Sequence, residues 1–307
     1  MEFSELAIRI GLFYAFILFG YLLGRFSLKG EDANSLLTKL LVNILMPLLV
    51  LYSLLTASPA SLEEIPSIIV LALTVHLSGP IILYILIRNS DIPAKRKGAF
   101  FLCSAFNNAL FIPLPLVLVF VGPMGIPIVV TFSVTQMLLM VTLGSFIGST
   151  YGGTSIPRSS RLIKAVTFPP LLAACLAGLL LFFSFSLPGI AASILSYSGN
   201  ITTYLALISV GLSVGTRYST VNLREALRVV FVRQVLVPTI TIPLLLLFAL
   251  SAATTQVVML EAIMPTAVLN VVYAGAFDLE TETVATIVTI GTILLLPVIA
   301  FIPFFLG

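Results

Sequence analysis

The chain has 307 residues, of which 59% are hydrophobic and only 9% charged. Soluble domains carry about a quarter charged residues, so a water-facing surface is excluded and a helical protein embedded in lipid is expected. The net charge of +3 says little by its size; its placement along the chain says more.

A membrane span needs about 20 mostly apolar residues. The first expected span is 5–25. It does not read as a signal peptide, because Glu2 and Glu5 come first and the apolar run continues to Gly24. Span two, 35–57, contains Asn43 and Pro47, which mark a bend. Span three, 66–87, carries His76, the single histidine, close to Gly79 and Pro80. Span four, 97–121, holds Asn107, Asn108, Pro113 and Pro115 near its middle, and span five, 124–150, has Gln136 at its centre. A loop at 151–165, with Gly152, Gly153, Pro157 and three basic residues, is the expected cytoplasmic joint between halves. Spans 166–184, 192–215, 226–250, 255–277 and 283–306 complete a count of ten. Cys103 and Cys175 lie inside apolar runs and read as small packing residues; with one histidine they make no metal site.

The basic residues fix an orientation. Fourteen of the 15 Lys and Arg, all but Arg9, fall after or beside the ends of spans one, three, five and seven. The positive-inside rule puts those connections in the cytoplasm and both termini outside. The ninth connection, with Asp278, Glu280 and Glu282, is acidic, and acids weigh little in that rule. Five spans per half make the second half (166–307) an inverted counterpart of the first (1–150), a building plan of many secondary transporters.

Proline removes a backbone donor and breaks a helix interior. In lipid such a break must be buried or line a cavity. Spans four and nine are the fourth helices of their halves. Both are interrupted, by Asn107 to Pro115 and by Pro265 to Asn270, with Thr266 beside the second break. Interrupted spans in matching positions point to a transport site. Free helix N-termini there would hold an anion, and free carbonyls a cation. The alternative is that the prolines only kink and the asparagines join helices. Glu261 reads either as a functional intramembrane acid or as an interfacial one. His76 reads as a proton relay or a packed, hydrogen-bonded residue. Gln136 lines the site or locks neighbouring helices. Arg233 is expected to snorkel to the surface, with attraction of an anion as its alternative.

The motifs Gly20-Tyr21-Leu22-Leu23-Gly24-Arg25, Asn43 to Pro47, Asn108-x-x-Phe111-Ile112-x-Leu114-Pro115, Gly122 to Gly125, Pro169-Pro170, Val210 to Ser213, and Met264-Pro265 with Asn270 together resemble the auxin efflux carrier family. Leu110 and Pro113 stand where that family often has glycine. The resemblance implies the fold of bile acid symporters and sodium–proton antiporters, an all-α polytopic membrane protein with crossing broken helices four and nine. Spans one, two, six and seven would be the scaffold, and spans three to five and eight to ten the mobile transport domain. Asn108, Pro115, Pro265 and Asn270 would lie at the crossover, with Asn43, Pro47 and Ser209 facing it from the scaffold. A homodimer in the plasma membrane is implied as well.

The expected function is elevator-like or rocking transport of a small organic anion such as a carboxylate. The candidate substrate residues are Asn43, Asn107, Asn108, Pro113, Pro115, Gln136, Ser209, Pro265, Thr266 and Asn270; Glu261 and His76 are the coupling candidates. No cofactor is expected, and coupling to protons or sodium stays open. The alternatives are a sodium-coupled anion symporter and a non-transporting membrane receptor. An enzyme is not expected, because no nucleophile elbow or paired aspartates occur within the spans. Nucleic-acid binding is not expected either, since topology already explains the basic residues.

Overall fold

The computed structural model describes residues 3–27, 29–57, 62–153, 167, 169–185, 187–216 and 219–302. Most of the 151–165 joint, with Arg158, Arg161 and Lys164, lies outside the described residues, as does Arg217.

Helix fills every apolar segment. In chain order the helices are α1 (Phe3–Phe26), α2 (Gly30–Leu40), α3 (Met46–Leu55), α4 (Ile65–Ile87), α5 (Ala94–Ala105), α6 (Pro113–Phe120), α7 (Ile126–Leu139), α8 (Ser145–Tyr151), α9 (Pro169–Phe182), α10 (Gly189–Thr216), α11 (Leu223–Phe231), α12 (Val237–Leu245), α13 (Ala252–Ile263), α14 (Leu269–Ala276) and α15 (Thr281–Ile299). Five helical stretches are long and apolar enough to cross a membrane: Asp32–Leu55, Ile65–Ile87, Pro123–Tyr151, Leu223–Leu245 and Thr281–Ile299. Among the described residues the only extended pairing is an isolated bridge between Asn107 and Thr266.

Three of the long helices carry a π-helical turn, at Leu41–Leu45, Met140–Gly144 and Val232–Leu236. Two of these have a visible cause. Pro47 and Pro238 lack the N–H that would bond to Asn43 and Gln234 one turn earlier, and the proline ring crowds that carbonyl. The chain relieves the clash by widening the preceding turn by one residue. The bend expected at Asn43 and Pro47 is this widened turn. The turn at 140–144 has no proline behind it.

The chain divides into two compact units, Met1–Ile65, Leu110–Val134 and Val166–Thr216 on one side, and Pro66–Ala109, Thr135–Ala165 and Arg217–Gly307 on the other. In the first unit α1 packs backbone to backbone on α10. A Cβ on Gly20 would stand 2.2 Å from the Ile208 carbonyl oxygen, and one on Gly211 would stand 2.0 Å from that of Ile17. Gly24 and Gly215 repeat the contact one turn on, at 2.7 Å from the Leu212 oxygen and 2.5 Å from that of Tyr21. Small residues four apart on each helix let two spans approach where lipid supplies no hydrophobic drive. Beside this seam Asn34 Nδ2 donates to Ser213 Oγ at 3.1 Å, and the Ser213 and Ser209 hydroxyls donate back to Asn34 Oδ1 at 3.3 and 3.5 Å.

In the second unit the buried core runs through Leu83, Phe100, Phe101, Phe106, Met140, Ile147, Val229, Phe277 and Ile287. Outward residues of α4, including Ile81, Tyr84, Ile85 and Leu86, are exposed and apolar, as a lipid-facing stripe requires. Polar groups tie together three helix starts. Arg96 of α5 reaches Glu280, just before α15, at 2.7 and 3.1 Å, and Glu225 of α11 at 3.1 Å. Asn222 donates to Glu280 and Thr283 at 3.2 and 2.8 Å, and Thr283 also donates to Glu280. Burial alone would raise the Glu280 carboxyl, but the Arg96 and Thr283 hydrogen bonds and the Arg96 charge outweigh it, so its pKa lies below the ordinary 4.5.

Candidate functional site

Two of the apolar segments are interrupted, and residues of the two interruptions pair within the second unit. The first break follows α5, whose helix ends at Ala105; the second follows α13, which ends at Ile263. Met264-Pro265 ends α13 because Pro265 pushes the residue before it out of helical geometry; Met264 has ψ 144°. The two extended segments then lie antiparallel. Asn108 N–H donates to the Pro265 carbonyl at 2.7 Å, and Ala267 N–H donates to the Phe106 carbonyl at 2.9 Å.

A helix end inside a membrane protein leaves carbonyls that must find donors. Here side chains from elsewhere in the unit supply them. For α5, Thr266 Oγ1 donates to the Cys103 carbonyl at 2.9 Å. Asn270 Nδ2 donates to Leu102 at 3.2 Å and to Phe106 at 3.1 Å. His76 Nδ1 meets the Ala105 carbonyl at 2.9 Å, which places the ring proton on Nδ1. Gly79 permits that reach: a Cβ there would stand 2.1 Å from the Ser104 oxygen, so α4 presses against the end of α5. For α13, Asn107 Nδ2 donates to the Glu261 main-chain carbonyl at 3.0 Å. Each break is thus closed by an asparagine belonging to the other.

The same asparagine holds the one acidic side chain that is buried among the described residues. Asn107 Nδ2 also donates to Glu261 Oε2 at 3.0 Å. Glu261 is fully buried within the protein. Arg233 is fully buried too and does not snorkel to the surface. It sits on the π turn before Pro238, and its Nη2 approaches the Glu261 main-chain carbonyl at 3.4 Å.

Because the two amide nitrogens must face carbonyls, both amides turn their oxygens away. Asn107 Oδ1, Asn270 Oδ1 and Glu261 Oε1 are buried without a hydrogen-bond partner, as are Arg233 Nε and Nη1. A fully buried polar group left unbonded costs about 1–3 kcal/mol. Such groups are rare in finished folds, and a cluster of them marks a place where another molecule completes the bonding.

Gln136 is buried in α7, with Oε1 unpartnered. Pro113 and Pro115 open α6 in the first unit; two of its first-turn positions therefore have no N–H, and Leu114 and Leu116 donate theirs to Leu110 and Ile112. At the start of α14, Asn270 and Val271 donate to Ala267 and Val268. At these helix starts the N–H groups of Leu114, Leu116, Asn270 and Val271 are thus engaged, while Val268 and Leu269 make no such bond. Asn43 is exposed on its π turn, and Pro47 is half-buried. Ser209 is buried against Asn34, also in the first unit. Cys103 is buried, whereas Cys175 is exposed.

Comparison with known proteins agrees with this setting. Residues 12–303 match the model of a family described as membrane transport protein. A Methanothermobacter thermautotrophicus protein described as an uncharacterized transporter is 28% identical over 281 residues, covering 91% of each chain. One from Methanocaldococcus jannaschii, described in the same words, is 24% identical over 291 residues, covering 92% of this chain and 93% of that one.

Proposed function

The chain belongs to the membrane transport protein family, the auxin efflux carriers that its motifs resemble, and we propose that it moves a small organic anion across the cell membrane by alternating access. Ten spans form two inverted halves of five, with both termini outside. Spans one, two, six and seven act as scaffold, and spans three to five and eight to ten carry the substrate. Two copies pair as a homodimer. The observation that carries this reading is the pair of broken spans, joined at Asn107 and Thr266 and lined by unbonded polar atoms. Breaks at matching positions are where secondary transporters bind their cargo.

Uptake of a panel of radiolabelled carboxylates into proteoliposomes tests it. Flux of at least one carboxylate is expected from the wild type, with marked loss in Asn108→Ala and Asn270→Ala. Normal transport by both variants sinks the assignment of the site to the two breaks; binding without flux points to a receptor.

Sodium coupling is favoured by one observation. The free oxygens of Asn107, Asn270 and Glu261 form a set of hard acceptors suited to a small cation. Transport that stops when sodium is replaced by choline supports that version; unchanged rates discard it.

A further inference from the structure

We infer that Arg233 is the anion receptor of this site and that Glu261 is its proton-controlled rival, so that each carboxylate bound brings about one proton with it. The inference rests on the anion reading above.

The first argument is the donor inventory. An anion needs N–H or O–H groups. Those of Leu114, Leu116, Ala267, Asn270 and Val271 are taken by main-chain carbonyls, and the amide nitrogens of Asn107 and Asn270 are taken as well; Val268 and Leu269 at the start of α14 make no such bond, but their N–H groups carry no charge. Arg233 keeps Nε and Nη1, on opposite edges of one charged plane. The two forks that a guanidinium offers a carboxylate pair Nη2 with Nε or with Nη1, and since the Glu261 carbonyl takes only one N–H of Nη2, one fork keeps both of its N–H groups.

The second argument is the arrangement of the pair. Arg233 touches the main-chain carbonyl of Glu261 and not its carboxylate. The Glu261 carboxylate is held by Asn107 through Oε2, and Oε1 is free. Receptor and rival therefore stand on one residue's two ends, each with an open valence. Rotation of the Glu261 side chain off Asn107 would bring its carboxylate into competition for the guanidinium.

The third argument is charge. With Glu261 ionised and no cargo bound, guanidinium and carboxylate sum to zero. Adding an anion would leave a buried net negative charge, which is expensive away from water. A proton from the aqueous phase that bonds to Glu261 Oε1 removes it. The loaded site then holds a guanidinium, a carboxylic acid and the anion, and again sums to zero. Among the described residues the other titratable group that interacts with the pair is His76 on α4, already bonded to Ala105. It is not a second fixed cation of the kind Arg233 supplies.

The test uses the full chain in detergent, with benzoate and malonate as probes and two readouts, heat of binding and proton uptake from weakly buffered solution. In the wild type, binding of a probe takes up about one proton, and affinity weakens about tenfold per pH unit over the window in which the empty pair is deprotonated. Glu261→Gln binds without proton uptake and with a flat pH profile. Arg233→Gln loses binding by at least about tenfold, and Arg233→Lys, which keeps the charge but not the fork, binds weakly while still taking up a proton. Binding without proton uptake in the wild type, or a normal Arg233→Gln, overturns the inference and leaves anion transport standing. So does binding that needs sodium and moves no proton. Failure of every probe to bind the folded wild type sinks the anion reading, and this inference with it.

Discussion

Replacing Thr266 by valine removes one hydroxyl and leaves the shape of the side chain almost unchanged. That hydroxyl is the donor for the Cys103 carbonyl in the last turn of α5, at 2.9 Å, and no other donor reaches the carbonyl among the described residues. Interhelical hydrogen bonds in membrane proteins are worth about 0.6 kcal/mol on average, because the freed partner usually finds another. Here the partner is fully buried with no substitute, so the larger cost of an orphaned group applies, about 1–3 kcal/mol. Thr266→Ser keeps the hydroxyl, loses one methyl and costs under about 1 kcal/mol. Unfolding of the purified variants in one detergent, followed by heat or denaturant, reads the difference. If Thr266→Val is as stable as the wild type, or Thr266→Ser falls as far as Thr266→Val, capping of α5 across the break is not what holds it.

Asn270→Ala should cost less than its two bonds suggest, about 1–2 kcal/mol. The Leu102 and Phe106 carbonyls keep main-chain donors from Phe106 and Ala267, and the same unfolding assay measures it. In the first unit, Gly211→Ala should destabilise by about 1–3 kcal/mol through overpacking, since the added carbon meets the Ile17 oxygen at 2.0 Å. Gly178→Ala on α9, with nothing within 4 Å, should be neutral or stabilise by up to about 1 kcal/mol; equal effects at the two sites would refute the close seam between α1 and α10. The depressed Glu280 carboxyl contributes stability above its unfolded pKa that is lost as pH falls through its lower folded one. Glu280→Gln should therefore be less stable than wild type at neutral pH, with the gap closing as pH drops below 4.5; a gap that persists in acid would show that the Arg96 contact is not its source.

The helical segments were legible because lipid imposes length and hydropathy on anything that crosses it. The two breaks were legible because asparagine and proline in mid-span have few other reasons to be there. What joins the breaks was not legible. Asn107 meets Glu261 at a separation of 154 residues, and no local pattern encodes that pairing. Arg233 shows the limit most clearly. Its position along the span gives depth, and depth alone fits both a snorkelling arginine and a buried one. Direction around the helix decides, and the π turn at 232–236 inserts one residue there. Side chains beyond it are rotated by about 100° from where an unbroken α-helix would put them. Pro238 was a partial signal: a widened turn precedes it and Pro47, but none precedes Pro80 or Pro297 in their helices. The start of α6 is made partly of prolines, which have no N–H to offer an anion, and that much could be read from Pro113 and Pro115.

The reciprocal closure of the two breaks also sets an order for making the protein. The carbonyls of Cys103 and Phe106 leave the ribosome more than 160 residues before Thr266 and Asn270 arrive to cover them. Until then the first half of the chain holds an unfinished helix end that bare lipid tolerates poorly. Translation of the second half is therefore also the last folding step of the first. A ribosome stalled before residue 266 would leave a product whose earliest defect lies at residues long since inserted.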